Sequence, residues 1–280
     1  MEFSIESFIQ QALHEDIGAG DFTSLACINA NQKSTAKLLA KDNGIISGIE
    51  IATKIFNVVD PFLQVETYTE SGKKIGKGNT LLSVTGNAQS ILKSERLVLN
   101  ILQRMSGIAT YTHQINQLIA HTQCKLLDTR KTTPNFRYFE KLAVKHGGGV
   151  NHRFGLYDMI MIKDNHVDFA GGIKEALTFT YKYLRDNNLD IKVEIETRNL
   201  IEVQQVLESG YHVDRIMLDN YTPNELTKAI NLIQNYCETE ASGGIDESTI
   251  KEYAETGVNF ISMGALTHSF KSLDLSLKAI

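Results

Sequence analysis

The 280-residue chain is 42% hydrophobic and 22% charged, with only 3 prolines, which excludes disordered, collagen-like and fibrous classes and leaves one large or two medium domains. A net charge of −5 argues against a nucleic-acid binder whose affinity comes from neutralising phosphates, and no apolar run approaches the roughly 18 residues of a membrane helix. Cys27, Cys124 and Cys237 are odd in number and too far apart for a disulfide framework or a zinc site, so they read as incidental thiols.

The opening MEFSIESFIQ, with Glu2 and Glu6, lacks the basic start and apolar centre of a secretory signal. It reads as a helix of the mature protein, and the expected location is the cytoplasm. GAGDFTS then reads as a loop. STAKLLAKDNGIISG and LQVETYTESGKKIGKGNTLLSV show short alternating runs broken by glycine turns, the pattern of antiparallel strands. From Ser90 to about His121 a long helical pattern follows, with Leu92, Leu99, Leu102, Met105 and Ile108 among its apolar positions, and Gly107 interrupts it without ending it.

Beyond residue 120, short apolar runs alternate with helical patterns. The runs are Lys125–Leu127, Met159–Ile162, Ile191–Ile195, Arg215–Leu218, Tyr236–Thr239 and Asn259–Met263, most of them too continuously apolar for half-exposed strands, so they read as parallel strands buried on both faces. IKEALTFTYKYLRDN, NLIEVQQVLESG, TPNELTKAINLIQN and DESTIKEYAETG read as helices, with Pro223 in a first turn and Gly210 and Gly257 as stops. Such a repeat builds either an open doubly wound sheet or a β/α barrel, and does not choose between them. No GxGxxG follows the first run, so the dinucleotide fingerprint is missing.

Each run ends in polar or glycine residues: Asp128-Thr129-Arg130-Lys131, Lys163-Asp164-Asn165-His166, Glu196, Asp219-Asn220, Ser242-Gly243-Gly244 and Met263-Gly264-Ala265. In parallel β/α folds this edge is where ligands bind. The segment from Lys125 to His166 holds eight Lys or Arg against four acids, a local +4 that leaves −9 for the rest. Arg130, Lys131, His152, Arg153 and Lys163, with Arg137, would repel one another around a cavity unless an anion filled it, so the expected ligand carries several negative charges. For Lys141 and Lys145 a solvated outer helix face is the better reading. Glu196 and Asp219 suit magnesium bound together with substrate phosphates, or serve to neutralise nearby lysines; Glu194 shares a strand face with Glu196, and either could point into the cavity. ASGGI and SMGAL offer backbone N–H groups to phosphate. The glycines of HGGGVNHRFGLYD belong to no hydrolase, because no GxSxG elbow exists; they let the backbone pass close to a ligand or a neighbouring loop.

EDIGAGDFTS, NILQRMSGIAT, DTRKTTP, KHGGGVNHRFGLYDMIMIKDNH, VEIET, IMLDN, EASGGI and ISMGALTHS, in that order, resemble the quinolinate phosphoribosyltransferase family over nearly the whole chain. The resemblance implies an α/β protein: an N-terminal α/β sandwich domain, 1–112 joined by 266–280, and an incomplete β/α barrel of fewer than eight strands, 113–265. It implies transfer of phosphoribosyl from phosphoribosyl pyrophosphate to quinolinate with loss of CO2, giving nicotinate mononucleotide and pyrophosphate for NAD biosynthesis, with Mg2+ as cofactor.

Carried over by motif, Arg104 resembles an arginine that reaches the neighbouring active site of a homodimer. Thr129, Arg130, Lys131, His152, Arg153 and Lys163 resemble the lining that holds quinolinate's carboxylates and the donor phosphates. Glu196 and Asp219 resemble the acidic pair at ribose and magnesium, and Ser242, Gly243, Gly244, Met263, Gly264 and Ala265 the phosphate loops. Lys131, Lys163, Glu196 and Asp219 are the catalytic candidates, with no nucleic acid or membrane partner. Arg198 after VEIET and a slightly long stretch from Glu196 to Asp219 depart from the family pattern. Two alternative enzymes are a molybdenum-uptake-associated paralogue of the same fold and a Schiff-base lyase using Lys163; a non-catalytic phosphometabolite-binding protein is a third class.

Overall fold

The computed structural model describes residues 3–280; Glu2, which entered the reading of the N-terminus, lies outside them. The chain forms two compact units, one of residues 1–113, 133–148 and 269–280, the other of residues 114–132 and 149–268. Among the described residues no helix is long and apolar enough to cross a membrane.

The first unit opens with α1 (Ile5–Ile17), whose N-cap Ser4 accepts from the Ser7 amide, and α2 (Phe22–Cys27). The expected loop at GAGDFTS therefore ends in a helix. Asp21 supplies the start signal, its carboxylate accepting from Ser24 N at 3.0 Å and stabilising the orphan donors of the first turn. Next come β1 (Lys33–Ala40), β2 (Gly44–Ile45), α3 (Ile49–Val59), β3 (Gln64–Thr67), β4 (Lys74–Ile75) and β5 (Thr80–Asn87). These are the antiparallel strands that the alternating runs predict. β5 leads into α4 (Ala88–Ile119).

Gly107 leaves α4 unbroken, and its missing side chain serves a close approach: a Cβ there would collide with the Lys271 carbonyl and stand 2.9 Å from Ser272 Cα. The C-terminal strand β12 (Leu275–Ala279) lies antiparallel on β1, completing a sheet in the order β12-β1-β5-β3. The tail thus rejoins the N-terminal unit as the resemblance implies.

In the second unit β6 (Lys125–Leu127), β7 (Ile160–Ile162), β8 (Val193–Thr197), β9 (Arg215–Asp219), β10 (Glu238–Ser242) and β11 (Phe260–Ser262) form one parallel sheet in the order β6-β11-β10-β9-β8-β7. The first strand lies beside the last, which is the cyclic order of a barrel and not of a doubly wound sheet. β6 and β7 are not paired with each other; instead Val150 bridges to Leu127 on the free edge of β6. Six strands make the barrel incomplete. β10 overlaps the run expected at Tyr236–Thr239 but begins two residues later and runs on to Ser242.

Between these strands lie α5 (Arg137–His146), α6 (Asp164–Ala170), α7 (Ile173–Asp186), α8 (Leu200–Glu208), α9 (Pro223–Ile233) and α10 (Ile250–Ala254), and α11 (Ala265–His268) follows the last. α9 starts with a capping box between Thr222 and Glu225 and has Pro223 in its first turn, as the start signals predict.

Two corrections concern α5. The expected catalytic domain included residues 133–148, yet they cluster with the first unit, because Phe139 packs 4.8 Å from Phe8 and Tyr138 stacks 4.8 Å from Phe3. Lys141, expected on a solvated face, is 1% exposed, buried in the middle of α5 together with Phe139, Glu140, Ala143 and Val144. Lys145 is exposed as expected. Gly147 abuts α4, where a Cβ would stand 2.6 Å from Thr112 Cβ.

Candidate active site

A cavity of about 830 Å³ opens within the second unit at the C-terminal ends of the barrel strands. Parallel strands all deliver their last residues to one edge, so chemistry dispersed over more than 130 positions of sequence converges there. Thr129, Arg130 and Lys131 follow β6, His152 and Arg153 follow the Val150 bridge, and Lys163 follows β7; Glu196 lies on β8, Asp219 ends β9, Ser242 to Gly244 follow β10 and Met263 to Ala265 follow β11. All of them line the cavity.

Arg104 is the exception among the expected residues, since it belongs to the first unit and is not part of this lining. Its guanidinium donates to the buried Glu140 carboxylate from Nε at 3.0 Å and to Thr133 Oγ1 at 2.6 Å, and it lies 4.9 Å from the Phe270 ring. Arg137 is likewise in the first unit and outside the lining.

The loops are held by short-range devices. Thr267 Oγ1 donates to the Lys131 carbonyl at 2.8 Å, and Thr129 Oγ1 accepts from Lys131 N at 3.0 Å. Gly264 has no side chain because a Cβ would stand 2.8 Å from Lys131 Cδ and 3.0 Å from His268 Nε2. Gly243, at φ +94°, leaves room for Asn220, whose Cγ would be 2.7 Å from a Cβ there.

Electrostatically the cavity has two sides. Arg153 loses some basicity through burial and then through repulsion from Arg130, which is the cost of gathering cations without an anion between them. Opposite, burial raises the pKa of Glu196 despite Lys163, whose Nζ lies 3.5 Å from Glu196 Oε2, and Asp219 and Asp164 push it further up. Asp219 is raised by burial in the same way, with Lys163 opposing and Asp164 adding. Glu196 and Asp219 both line the cavity and offer the hard carboxylate oxygens that magnesium takes. The Lys163 side chain is 48% exposed and ion-paired, not the desolvated amine that a Schiff-base lyase requires.

His152 lines the cavity and also meets two buried carboxylates. Its side chain is only 4% exposed, with Nε2 at 3.1 Å from Glu194 Oε2 and 3.3 Å from Glu240 Oε2. Burial disfavours the charged ring, but the two carboxylates outweigh it and move its pKa up. The Arg153 N–H lies 2.6 Å from Nδ1, and Nε2 is the ring nitrogen that meets the two carboxylates. Of the two candidate glutamates on β8, Glu196 faces the cavity and Glu194 lies fully buried.

The lining also includes Asp164, Asn220, Glu240, Ser262 and His268, none of them chosen from sequence. Asp164 and Asn220 stand beside chosen strand ends, and Glu240 is hidden by the late start of β10.

Two family descriptions cover the chain: the quinolinate phosphoribosyl transferase N-terminal domain over residues 21–106 and its C-terminal domain over residues 108–278. The chain belongs to the quinolinate phosphoribosyltransferase family. It is 47% identical to the mitochondrial quinolinate phosphoribosyltransferase [decarboxylating] 2a of Nicotiana tabacum, over 99% of this chain and 82% of that protein. It is 43% identical to the probable nicotinate-nucleotide pyrophosphorylase [carboxylating] of Bacillus subtilis, over 94% and 89%. Among solved structures, the nicotinate-nucleotide pyrophosphorylase of Francisella tularensis superposes with a TM-score of 0.92 at 36% identity, covering 99% of this chain and 96% of that one.

Proposed function

We infer that the protein transfers the phosphoribosyl group of phosphoribosyl pyrophosphate to the ring nitrogen of quinolinate with loss of CO2, yielding nicotinate mononucleotide and pyrophosphate for NAD biosynthesis. The observation that carries this is the two-sided cavity of a family member: Arg130, Lys131, Arg153 and Lys163 facing Glu196 and Asp219. Both reactants are anions, and the cationic lining suits a dicarboxylate beside a phosphorylated donor.

Arg130 and Arg153 bind the carboxylates of quinolinate, and the glycine loops at Gly243 and Gly264 take the donor phosphates. Glu196 and Asp219 would hold magnesium, which supplies charge neutralisation to the departing pyrophosphate. As the C–O bond to pyrophosphate lengthens, positive charge builds on the ribose and the adjacent acidic pair stabilises it. The quinolinate nitrogen then forms the new C–N bond. When the ring carboxylate leaves as CO2, its bonding electrons stay on the ring carbon beside a cationic nitrogen, where Arg and Lys groups stabilise them until a proton is added. Holding two reactants in register supplies several kcal/mol of the barrier, up to about 7–11 for ideal alignment.

A homodimer in which Arg104 serves the neighbouring site, and a cytoplasmic location, complete the proposal. The first is supported by the position of Arg104 outside the cavity lining; the second carries forward the expectation from the sequence. Mixing Arg104→Ala with Lys131→Ala subunits tests the dimer: random exchange leaves about a quarter of sites intact, and no recovered activity would remove the shared site. The reaction is tested by incubating the protein with quinolinate, phosphoribosyl pyrophosphate and magnesium, following nicotinate mononucleotide by mass, with nicotinate in a parallel tube and a chelator in a third. Product from quinolinate alone, lost on chelation, is expected; product from nicotinate, or none from either, refutes it. Arg130→Ala should raise KM and lower kcat, and wild-type kinetics would remove Arg130 from the site.

A further inference from the structure

Beneath the cavity the barrel buries charges that the reaction as derived leaves unused. Strand alternation puts Glu194 on the face of β8 that carries Glu196, Arg215 on the face of β9 that carries Asp219, and Glu240 on the face of β10 that carries Ser242. The register sets Glu194 beside Arg215. Arg215 Nη1 lies 2.9 Å from Glu240 Oε2 and 3.8 Å from Glu194 Oε2, and both glutamates are 0% exposed. His152 enters this layer from above, its Nε2 facing both carboxylates.

His152, Glu194 and Glu240 bring three donor atoms within 4.8 Å of one another, which is also a metal-like grouping. The Arg215 guanidinium already sits on the same oxygens, however, and supplies the positive charge an ion would bring. A buried network of this kind is poor value for stability, since apolar residues of the same volume often do as well or better. Its use must lie in what it holds.

What it holds is the strand-like segment 150–153. Val150 N donates to the Leu126 carbonyl at 2.8 Å, His152 N to Asp128 Oδ1 at 2.8 Å and Arg153 N to His152 Nδ1 at 2.6 Å. In the last link the ring presents Nδ1 to the Arg153 N–H while Nε2 is turned toward Glu194 and Glu240. The Arg153 guanidinium itself donates from Nη1 to the Met159 carbonyl at 3.3 Å.

We propose that Glu194 and Glu240 are positioning residues: through His152 they fix the Arg153 backbone and so aim its guanidinium at the carboxylates of quinolinate. This rests on the reaction proposed above. The test uses Glu240→Gln, Glu194→Gln, Arg153→Lys and the double variant E240Q/R153K in the full-length protein. In E240Q and E194Q the KM for quinolinate should rise at least tenfold, roughly, while kcat falls less than about threefold and the KM for phosphoribosyl pyrophosphate stays within about twofold. E240Q/R153K should be no worse than the worse single variant, because both act through one guanidinium. Folded variants with unchanged quinolinate KM, or a double variant in which the two effects multiply, would overturn the proposal; a merely structural network lowers stability without this selectivity. Wild-type protein that makes no nicotinate mononucleotide would instead refute the reaction. Independently of variants and turnover, NMR of 15N-histidine-labelled protein at a pH above the raised His152 pKa of about 9 should show Nδ1 bare and Nε2 protonated, and a proton on Nδ1 there overturns the link.

Discussion

Gly243→Ala should damage the protein far more than Gly244→Ala, although the two glycines are neighbours in one loop. Both have positive φ, +94° and +64°, so an alanine at either position costs roughly 1–2 kcal/mol from backbone strain. They differ in what a methyl group would meet. At Gly244 nothing lies within 4 Å, whereas at Gly243 a Cβ would collide with Asn220 Oδ1 and stand 2.7 Å from its Cγ and 3.0 Å from its backbone N. Overpacking of that kind adds about 1–3 kcal/mol, giving about 2–5 for G243A against about 1–2 for G244A. At roughly 2–4 °C per kcal/mol the two should be separable by thermal melting. Asn220 cannot yield without consequence, since its N–H donates to the Ser242 carbonyl at 2.8 Å and its Nδ2 to Asp219 Oδ2 at 2.5 Å. A displaced Asn220 moves a cavity carboxylate, and a misplacement near 1 Å can cost about 10²-fold in rate. Steady-state kinetics should therefore show kcat/KM for phosphoribosyl pyrophosphate at least tenfold lower, roughly, in G243A than in G244A. Equal melting points and equal kcat/KM in the two variants would refute the reasoning.

Asp21→Ala should cost about 1 kcal/mol at neutral pH, the value of a helix N-cap. Hydrogen bonds from Ser24 hold the Asp21 pKa below its ordinary 3.8, so the stabilisation is present above 3.8 and is lost as pH falls through the lowered value. Denaturant titrations of wild type and D21A should converge at acid pH, and a gap that persists there contradicts the assignment. With a thiol reagent at pH 8, native protein should label rapidly at the exposed Cys27; burial pushes the Cys124 and Cys237 thiols up to about 12, so both should label only on unfolding. Glu140→Gln removes the charge from a fully buried carboxylate that faces Arg104, itself 33% exposed. The expected loss is about 1–3 kcal/mol, discounted for that exposure, and a change under about 0.5 kcal/mol would show the pair to be dispensable.

Much of the second unit was legible from local pattern. Apolar runs of three to five residues, each ending in a polar group, marked the strands and their functional edge, and every expected cavity residue outside the first unit does line the cavity. The failures share a cause. The run expected at Tyr236–Thr239 stopped short of Glu240, because a glutamate reads as a solvated residue unless a buried Arg215 faces it. Lys141 looked solvated because spacing reports which residues share a helix face, but not whether that face is covered. The aromatic contacts of Phe3 and Phe8 with α5 join residues more than 120 positions apart, beyond any local periodicity.

The sequence by itself thus determined the order of strands and helices, the basic character of one segment, and the residue types at each strand end, since these depend on neighbours within a turn or two of chain. Only the tertiary structure decided that the six strands follow the cyclic order of a barrel, that α5 joins the first unit, and that His152 meets Glu194 and Glu240. Those outcomes depend on pairings between distant segments, where burial converts the same side chain from a solvated charge into a partner in a network.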